Sequence, residues 1–213
     1  MVRVSWSPSG THLCSTHTNG DLRIWDTTNW TCQRWNLSGG SGARRVVSSC
    51  KALAWSPGGK YLTVAAKWSS QLHIFEAGKS QAKLFRTENL HEREIRQEGF
   101  RFRVGGAISE IAWDPTGERF AVSFLGRASG LELVALYAVR QTPVVGFTLR
   151  GYIRGPPGHE ATDPKPSLLQ FANKCGDGAL LTIAWTNSVV SFVPLLFVSE
   201  KRLTSAGVVN MSW

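Results

Sequence analysis

The side chains that most often do chemistry in proteins are few in this chain, and their spacing does not favour a reactive site. The four cysteines lack the short Cys/His spacing of a zinc site, which predicts reduced, buried thiols of the cytosol or nucleus. His12 and His17 are five positions apart on one strand and therefore point to opposite faces. His73 takes the outward slot of a strand, which predicts exposure. The cysteines are Cys14, Cys32, Cys50 and Cys175.

Glycine-rich segments and acidic residues give no catalytic pattern either. The chain has no Gly-x-Ser-x-Gly nucleophile elbow. The glycine-rich residues 39–42 are not followed by the Lys-Ser/Thr of a phosphate loop, and residues 58–60 already serve as a hairpin turn. Asp26 and Glu76 each end a strand, where a carboxylate more often caps a turn. We therefore expect a protein that is not an enzyme, with no cofactor and no metal ion.

Residues 99–104 interleave arginine with aromatic residues, a pattern that could stack on RNA bases, contact a protein or form an ordinary strand. The net charge of +9 suits an acidic partner. The basic residues are scattered, however, with no run of five or six like charges, so nucleic acid is the less favoured partner. Trp68, Phe100 and Phe102 are candidate partner contacts, because each lies in a loop or an insertion.

The elements around these residues form a repeat: an aromatic strand end, a Pro-Gly turn, a second strand and an alternating third strand. Ser or Asp first, proline second and glycine fourth predict a type I turn closed by a left-handed glycine. A repeated meander of about 40 residues has the size of a β-propeller blade. The copies open at Trp6, Trp55 and Trp113, and their third strands end in Trp25-Asp26, Phe75 and Tyr137.

A fourth, degenerate copy opens at Phe171, as far after Trp113 as Trp113 lies after Trp55. The sequence therefore predicts an all-β fold with about four four-stranded blades. Four is the lower limit for a closed propeller, so we expect part of a larger ring. The aromatic residues of the repeats are predicted to be structural wedges. The predicted ranges are 1–198 for the propeller segment, 2–37, 50–86, 104–150 and 167–198 for the blades, 77–106 for an insertion with a short helix at Glu88–Gln97, and 199–213 for a tail.

Residues 179–198 carry no charge and are long enough to span a bilayer. A turn signal, Thr186-Asn187-Ser188, stands in the middle of this stretch, and Pro194 follows it. Two buried strands joined by a hairpin are therefore expected, and no transmembrane segment.

Several stretches resemble the aladin family of WD-repeat nucleoporins. The resemblance is colinear from about Val2 to Val198, and it includes the insertion between the second and third blades. The last blade carries the most specific part of it. The matching stretches are the WD-like pair Trp25-Asp26, then Trp30–Trp35, Trp113–Arg119, Gly178–Leu181, Trp185 and Pro194–Val198.

This resemblance implies the C-terminal four blades of a seven-bladed WD-repeat β-propeller. It also implies a non-catalytic scaffold of the nuclear pore complex at the nuclear envelope, supporting nucleocytoplasmic transport. The implied partners are other nucleoporins, especially a transmembrane nucleoporin of the pore membrane ring. A general WD-repeat adaptor in another complex, such as a cytoplasmic substrate receptor, stays an alternative. So do an RNA-binding propeller and an enzyme on a propeller scaffold.

Overall fold

A computed structural model describes residues 3–17, 21–35, 49–77, 82–97, 100–125, 133–140, 145–156, 164–176 and 178–196. All regular structure in these ranges is β-strand, and every strand pair is antiparallel. The predicted all-β class is confirmed. The predicted tail at 199–213 lies outside the described residues, so its boundary stays a prediction.

The strands form successive meander sheets, which we name blades 1 to 4. Blade 1 has β1 (Val4–Trp6), β2 (His12–Thr16), β3 (Leu22–Asp26) and β4 (Thr31–Trp35). Blade 2 has β5 (Cys50–Trp55), β6 (Tyr61–Ala66), β7 (Gln71–Ala77) and β8 (Ala82–Asn89). A separate hairpin of β9 (Arg93–Gln97) and β10 (Phe100–Val104) follows, and we call it the arm. Blade 3 has β11 (Ile108–Trp113), β12 (Arg119–Phe124), β13 (Leu133–Arg140) and β14 (Gly146–Arg154), and blade 4 has β15 (Pro166–Phe171), β16 (Gly178–Trp185) and β17 (Val190–Leu196).

The Pro-Gly turns have the predicted geometry in three blades. In blade 1 the N–H of Gly10 donates to the carbonyl of Ser7 at 2.9 Å, and Gly10 has a φ of 72°. Gly59 and Gly117 repeat this conformation, with φ of 69° and 76°. An L side chain rarely adopts such a φ, which explains why each copy of the turn ends in glycine.

The buried first residue of each turn fixes the hairpin from inside. Ser56 is 2% exposed, and its Oγ accepts the N–H of Tyr61 at 3.0 Å. Asp114 is fully buried, and its Oδ1 accepts the N–H of Arg119 at 2.6 Å. Ser or Asp stands at this position because its short side chain accepts a backbone N–H that the turn would otherwise leave unpaired.

The core lies between neighbouring blades. Trp55 of blade 2 packs with buried side chains of blade 1, and Trp113 of blade 3 packs with buried side chains of blade 2. Phe171 of blade 4 packs with Ala121 and other buried residues of blade 3. Trp55, Trp113 and Phe171 thus each face the preceding blade. The described blades do not close into a ring, as expected for part of a propeller.

The predicted helix at Glu88–Gln97 is wrong. Glu88 lies in β8, where it pairs with Leu72, and Arg93–Gln97 is strand β9. The mixed charges of this segment suit an exposed helix. Glu88 instead pairs with β7, and Arg93–Gln97 pairs with β10. Such strand pairing overrides local helix propensity.

The predicted hairpin of two strands in the uncharged segment is confirmed, but the expectation that both strands are buried is wrong. Val190, Phe192 and Leu196 of β17 are 48%, 65% and 77% exposed, because no described element packs over this side of blade 4. β16 and β17 pair along their whole length, and Thr186–Ser188 forms the turn between them. Among the described residues, no helix has the length and apolar character needed to cross a membrane.

Candidate interaction surfaces

The aromatic residues of the repeat signature differ in exposure according to blade. Trp55 and Trp113 are 7% and 9% exposed, whereas Trp6 is 54% exposed. The remaining signature positions behave as structural residues in their blades. Trp25 is half-buried, and Phe75, Tyr137 and Phe171 are buried.

Polar contacts tie the buried wedges to the blade in front of them. The indole N–H of Trp55 donates to the carbonyl of Ser5 at 3.3 Å. The indole N–H of Trp113 donates to Oγ1 of Thr63 at 3.2 Å, and the Thr63 hydroxyl donates to the carbonyl of Ala54 at 2.8 Å. A buried tryptophan needs such a partner, so these bonds help to fix the angle between blades.

The side chains of the WD-like pair, Trp25 and Asp26, make hydrogen bonds that stabilise blade 1. The Trp25 indole N–H donates to Oγ of Ser15 on the neighbouring strand at 3.0 Å. Asp26 Oδ1 accepts the N–H of Thr28 at 2.8 Å, so it caps the β3–β4 turn as expected. This hydrogen bond lowers the pKa of Asp26, because it favours the charged carboxylate.

An apolar face is exposed at each end of the array. In blade 1, Val4 is 58% and Trp6 54% exposed, and we call this the open face of blade 1. In blade 4, Leu168, Phe192 and Leu196 are 50%, 65% and 77% exposed, and these residues define the open face of blade 4. Clustered exposed apolar side chains mark surfaces that another element covers. The sequence did not predict the blade 4 face, because Val190–Leu196 is apolar at most positions and has no alternation that would separate an exposed side from a buried one.

Charged side chains converge where the innermost strands meet. Arg3 makes a bidentate ion pair with Glu110 of blade 3, with Nη1–Oε2 and Nη2–Oε1 distances of 3.0 and 2.5 Å. Lys51 of blade 2 approaches the same carboxylate at 3.9 Å. The hydrogen bond to Glu110 raises the pKa of Arg3. The arrangement links three blades through one carboxylate, and its charges are used within the fold.

The three candidate partner contacts lie on two elements, the β6–β7 turn and the arm. Trp68 is 71% exposed in the β6–β7 turn, with a φ of 62°. Phe100 and Phe102 lie on β10 of the arm, where Phe102 is registered opposite Ile95. The side chains of these two phenylalanines lie outside the described residues. The role of all three residues in partner binding stays a prediction.

Two expectations about single residues are wrong. His73 is 2% exposed, because blade 1 packs over the face of blade 2 that carries it, and burial lowers its pKa. Two of the four cysteines, Cys32 and Cys175, are exposed. Cys32 lies on the outermost strand of blade 1 and Cys175 in the β15–β16 loop, where no neighbouring sheet covers them. Burial raises the pKa of Cys50 to about 12.

No group of three or more His, Cys, Asp or Glu side chains within the described ranges is placed to hold a metal ion. Burial is the largest cause of the pKa shifts of the buried thiols and tyrosines. Tyr137, for example, has its pKa raised to about 12, chiefly by burial. The exposed features of the described residues are two open blade faces, a tryptophan turn and an arm.

Comparison with known proteins agrees with this description. Residues 2–26 match the family described as WD domain, G-beta repeat. The chain is also similar to Aladin from Arabidopsis thaliana, with 32% identity over 184 residues. That match covers 85% of this chain and 38% of the length of Aladin.

Solved structures with a similar fold include a chain of the mitotic checkpoint complex, with a TM-score of 0.60, 14% identity and coverage of 92% of this chain and 51% of the other. The β-propeller domain of Cps50 (Swd1) from Myceliophteria thermophila gives 0.57, 15% identity, and coverage of 90% and 50%. A protein assigned as a 6-phosphogluconolactonase from Bacteroides uniformis gives 0.53, 15% identity, and coverage of 91% and 54%. The chain thus spans about half the length of these propellers, and at such identities the likeness shows the fold alone.

Proposed function

Because the chain is an aladin-like segment of a WD-repeat β-propeller, we propose that it serves as a non-catalytic scaffold of the nuclear pore complex. The observation that carries this proposal is the similarity to Aladin over 85% of the chain. In this role it supports nucleocytoplasmic transport by holding other nucleoporins in place. The partner we favour is a transmembrane nucleoporin of the pore membrane ring, and the location is the nuclear envelope.

The structure supports the scaffold part of the proposal through its rigidity. Three interfaces between blades are filled by aromatic wedges, and two of those wedges also donate a hydrogen bond across the interface. Surfaces built on such a frame are largely preformed, so binding a partner costs little ordering of the scaffold. Functions of this kind need exposed anchors on a rigid sheet and no reactive side chain.

The open faces of blades 1 and 4 bear on how the scaffold is completed. We propose that further blades cover both faces in the assembled ring, as expected for a chain that spans 38% of its relative. The repeat itself indicates the fit, because an aromatic residue of one blade always packs against the blade before it.

Localisation tests the proposal directly. The chain is expressed as a fluorescent fusion in Arabidopsis cells whose Aladin carries a second colour. We expect a rim at the nuclear envelope that coincides with the Aladin signal, and proximity labelling that recovers a transmembrane nucleoporin. The matched control is the Trp113→Ala variant, which weakens the blade 2–blade 3 interface and is expected to lose the rim. A stable, folded wild-type fusion that stays diffuse in the cytosol would contradict the pore assignment.

A further inference from the structure

The arm is a two-stranded sheet that pairs with none of the blades in the described part of the chain. An isolated hairpin is marginally stable in water, so its base must be held. At Gly105 the backbone φ is 96°, and an added Cβ would lie 2.1 Å from the carbonyl oxygen of His91. The glycine therefore lets the segment that leaves the arm pack closely against the segment that enters it. The N–H of Gly106 donates to the carbonyl of Leu90 at 2.8 Å. The two chain segments that enter and leave the arm are therefore locked together.

The same base also holds the turn that carries Trp68. The N–H of Leu90, just before the arm, donates to the carbonyl of Ser70 at 2.9 Å. The N–H of Ile108, just after the arm, donates to the carbonyl of Ser69 at 2.9 Å. Both ends of the arm are thus bonded to the β6–β7 turn. The exposed Trp68 and the arm form one surface, which we call the Trp68–arm surface.

One face of the arm is turned outward and is basic. At alternate positions, Val104 is buried and Ile95 half-buried, so this side faces the blades. The positions between them carry arginines and a glutamate, and the arginines are exposed. The outward residues are Glu94, Arg96, Arg101 and Arg103.

The charges on this outward face are not balanced. Arg96 pairs with Glu94 at 2.9 Å, and Arg103 pairs with Glu92 at 3.4 Å. Arg101 makes no ion pair with a described residue and lies directly opposite Arg96 across the strands. Like charges in directly opposed positions destabilise a sheet. An added carboxylate between Arg96 and Arg101 relieves this repulsion, so the site favours an anionic ligand.

Trp68 supplies an exposed apolar side chain on the turn that is bonded to the arm base. Trp68 is 71% exposed, and the ammonium group of Lys67 lies over its ring, 5.4 Å from the ring centroid. Its backbone has a φ of 62°, a conformation that is strained for a bulky residue. Exposed tryptophan and arginine side chains on a rigid base are the composition of a binding hot spot.

We propose that the Trp68–arm surface binds an acidic segment of a partner protein that also carries an apolar side chain. Carboxylates of the segment bridge Arg96 and Arg101, and the apolar side chain packs on Trp68. The two glutamates at 92 and 94 favour this ligand over RNA, because they repel a continuous phosphate backbone but leave room for a discrete carboxylate at Arg101. This inference depends on the Trp68–arm surface alone and holds whatever the location of the chain in the cell.

Fluorescence anisotropy with the full chain tests the proposal. The probe is a fluorescein-labelled 12-residue peptide of glutamates around a central Leu-Leu pair, at about 50 mM salt, where electrostatic contacts are weakly screened. We expect Arg101→Glu to weaken binding about tenfold and Trp68→Ala about fivefold, as for charged and aromatic anchors. The matched controls are Arg150→Glu and Trp30→Ala, which change an exposed arginine and an exposed tryptophan on blade surfaces. Each control is expected to stay within about twofold of the wild type.

Three outcomes overturn the proposal. Equal weakening by Arg101→Glu and Arg150→Glu would show attraction to net charge alone. Tighter binding of a 12-nucleotide oligouridine than of the peptide, with loss on Arg101→Glu, would make the surface an RNA site. Failure of the wild-type chain to bind the peptide would remove the site. Circular dichroism of every variant separates these results from misfolding, and a diffuse fusion in cells would leave them unchanged.

Discussion

Trp6 and Trp113 occupy the same position of the same repeat, yet one is 54% and the other 9% exposed. Both end an inner strand, and both precede a Pro-Gly turn whose glycine has a positive φ. The difference lies in the neighbour. Trp113 has blade 2 in front of it, whereas no described blade lies in front of Trp6. Burial in this fold is therefore a property of pairs of blades, and a single repeat cannot complete its own core.

The same comparison explains why the face of blade 2 that carries His73 is buried, whereas the equivalent face of blade 1 is exposed. His73 in blade 2 and Arg23 in blade 1 hold equivalent strand positions. His73 is covered by blade 1 and is 2% exposed, while Arg23 is half-buried at the open face of blade 1. The two ends of the array are the places where no described blade covers the apolar face.

Replacing the wedges should show the largest effect. We expect Trp113→Ala to lower the free energy of unfolding by about 3–5 kcal/mol, because it leaves a cavity between blades 2 and 3 and removes the hydrogen bond to Thr63. Trp6→Ala should cost less than about 1 kcal/mol, since the side chain is already in water. Urea titrations of both variants measure the difference. Equal costs would show that the open face of blade 1 is covered in the isolated chain.

The turn residues should give the next largest difference between repeats. Asp114→Ala removes a buried carboxylate that accepts the N–H of Arg119 at 2.6 Å and also bonds Thr116. We expect a loss of about 1.5–3 kcal/mol, the range for hydrogen bonds to charged groups. Ser7→Ala in blade 1 should cost about 1 kcal/mol, because it removes a neutral acceptor for the N–H of His12. A larger loss for Ser7→Ala, measured by the same titrations, would contradict this order.

The sequence predicted the repeat elements well because each depends on local chemistry. The Pro-Gly turns and the alternating strands follow from residue types within a few positions of one another, and the degenerate copy at Phe171 follows from the regular spacing of the repeats. The fates of Trp6 and His73 could not be predicted in this way. Whether each is exposed depends on the blade packed in front, which is a long-range property.

The arm shows that the same limit of sequence-based prediction applies to the candidate site. Arg93–Gln97 has the mixed charges of an exposed helix, and only its pairing with Phe100–Val104 makes it a strand. The interleaved arginines indicated a possible contact surface. The opposition of Arg96 and Arg101, and the bonds from the arm base to the Trp68 turn, required the strand register.

The buried His73 gives a pH test of the contrast between blades. Its Nδ1 lies 3.0 Å from the Thr87 hydroxyl, while its Nε2 is buried and has no hydrogen-bond partner among the described residues. Burial lowers the pKa of His73 below the value in the unfolded chain, so the unfolded state binds the proton more readily. The stability held by neutral His73 is thus present above the unfolded pKa of about 6.5 and is lost as the pH falls below it.

We therefore expect the free energy of unfolding to fall between about pH 7 and pH 5, by about 1.4 kcal/mol for each unit of pKa shift. A His73→Gln variant keeps a polar side chain that can bond Thr87 and cannot gain this proton. Its unfolding free energy should change less over the same interval. Parallel curves for the two proteins would show that His73 stays accessible to water, as Arg23 is in blade 1.

The smallest expected effect concerns the ion pair that joins blade 1 to blade 3. Arg3 and Glu110 are 26% and 18% exposed as side chains, so water screens their attraction only in part. A double-mutant cycle with Arg3→Gln and Glu110→Gln should give a coupling energy of about 0.5–1 kcal/mol that falls as salt is added. The pair Arg34–Asp21 lies within blade 1, with Arg34 57% exposed, and should give less. Since Arg3 lies beside the open face of blade 1, a coupling energy below that of Arg34–Asp21 would mean that this end of the array is not fixed against blade 3. The exposure of Trp6 would then reflect a loose first blade instead of a face built to receive a neighbour.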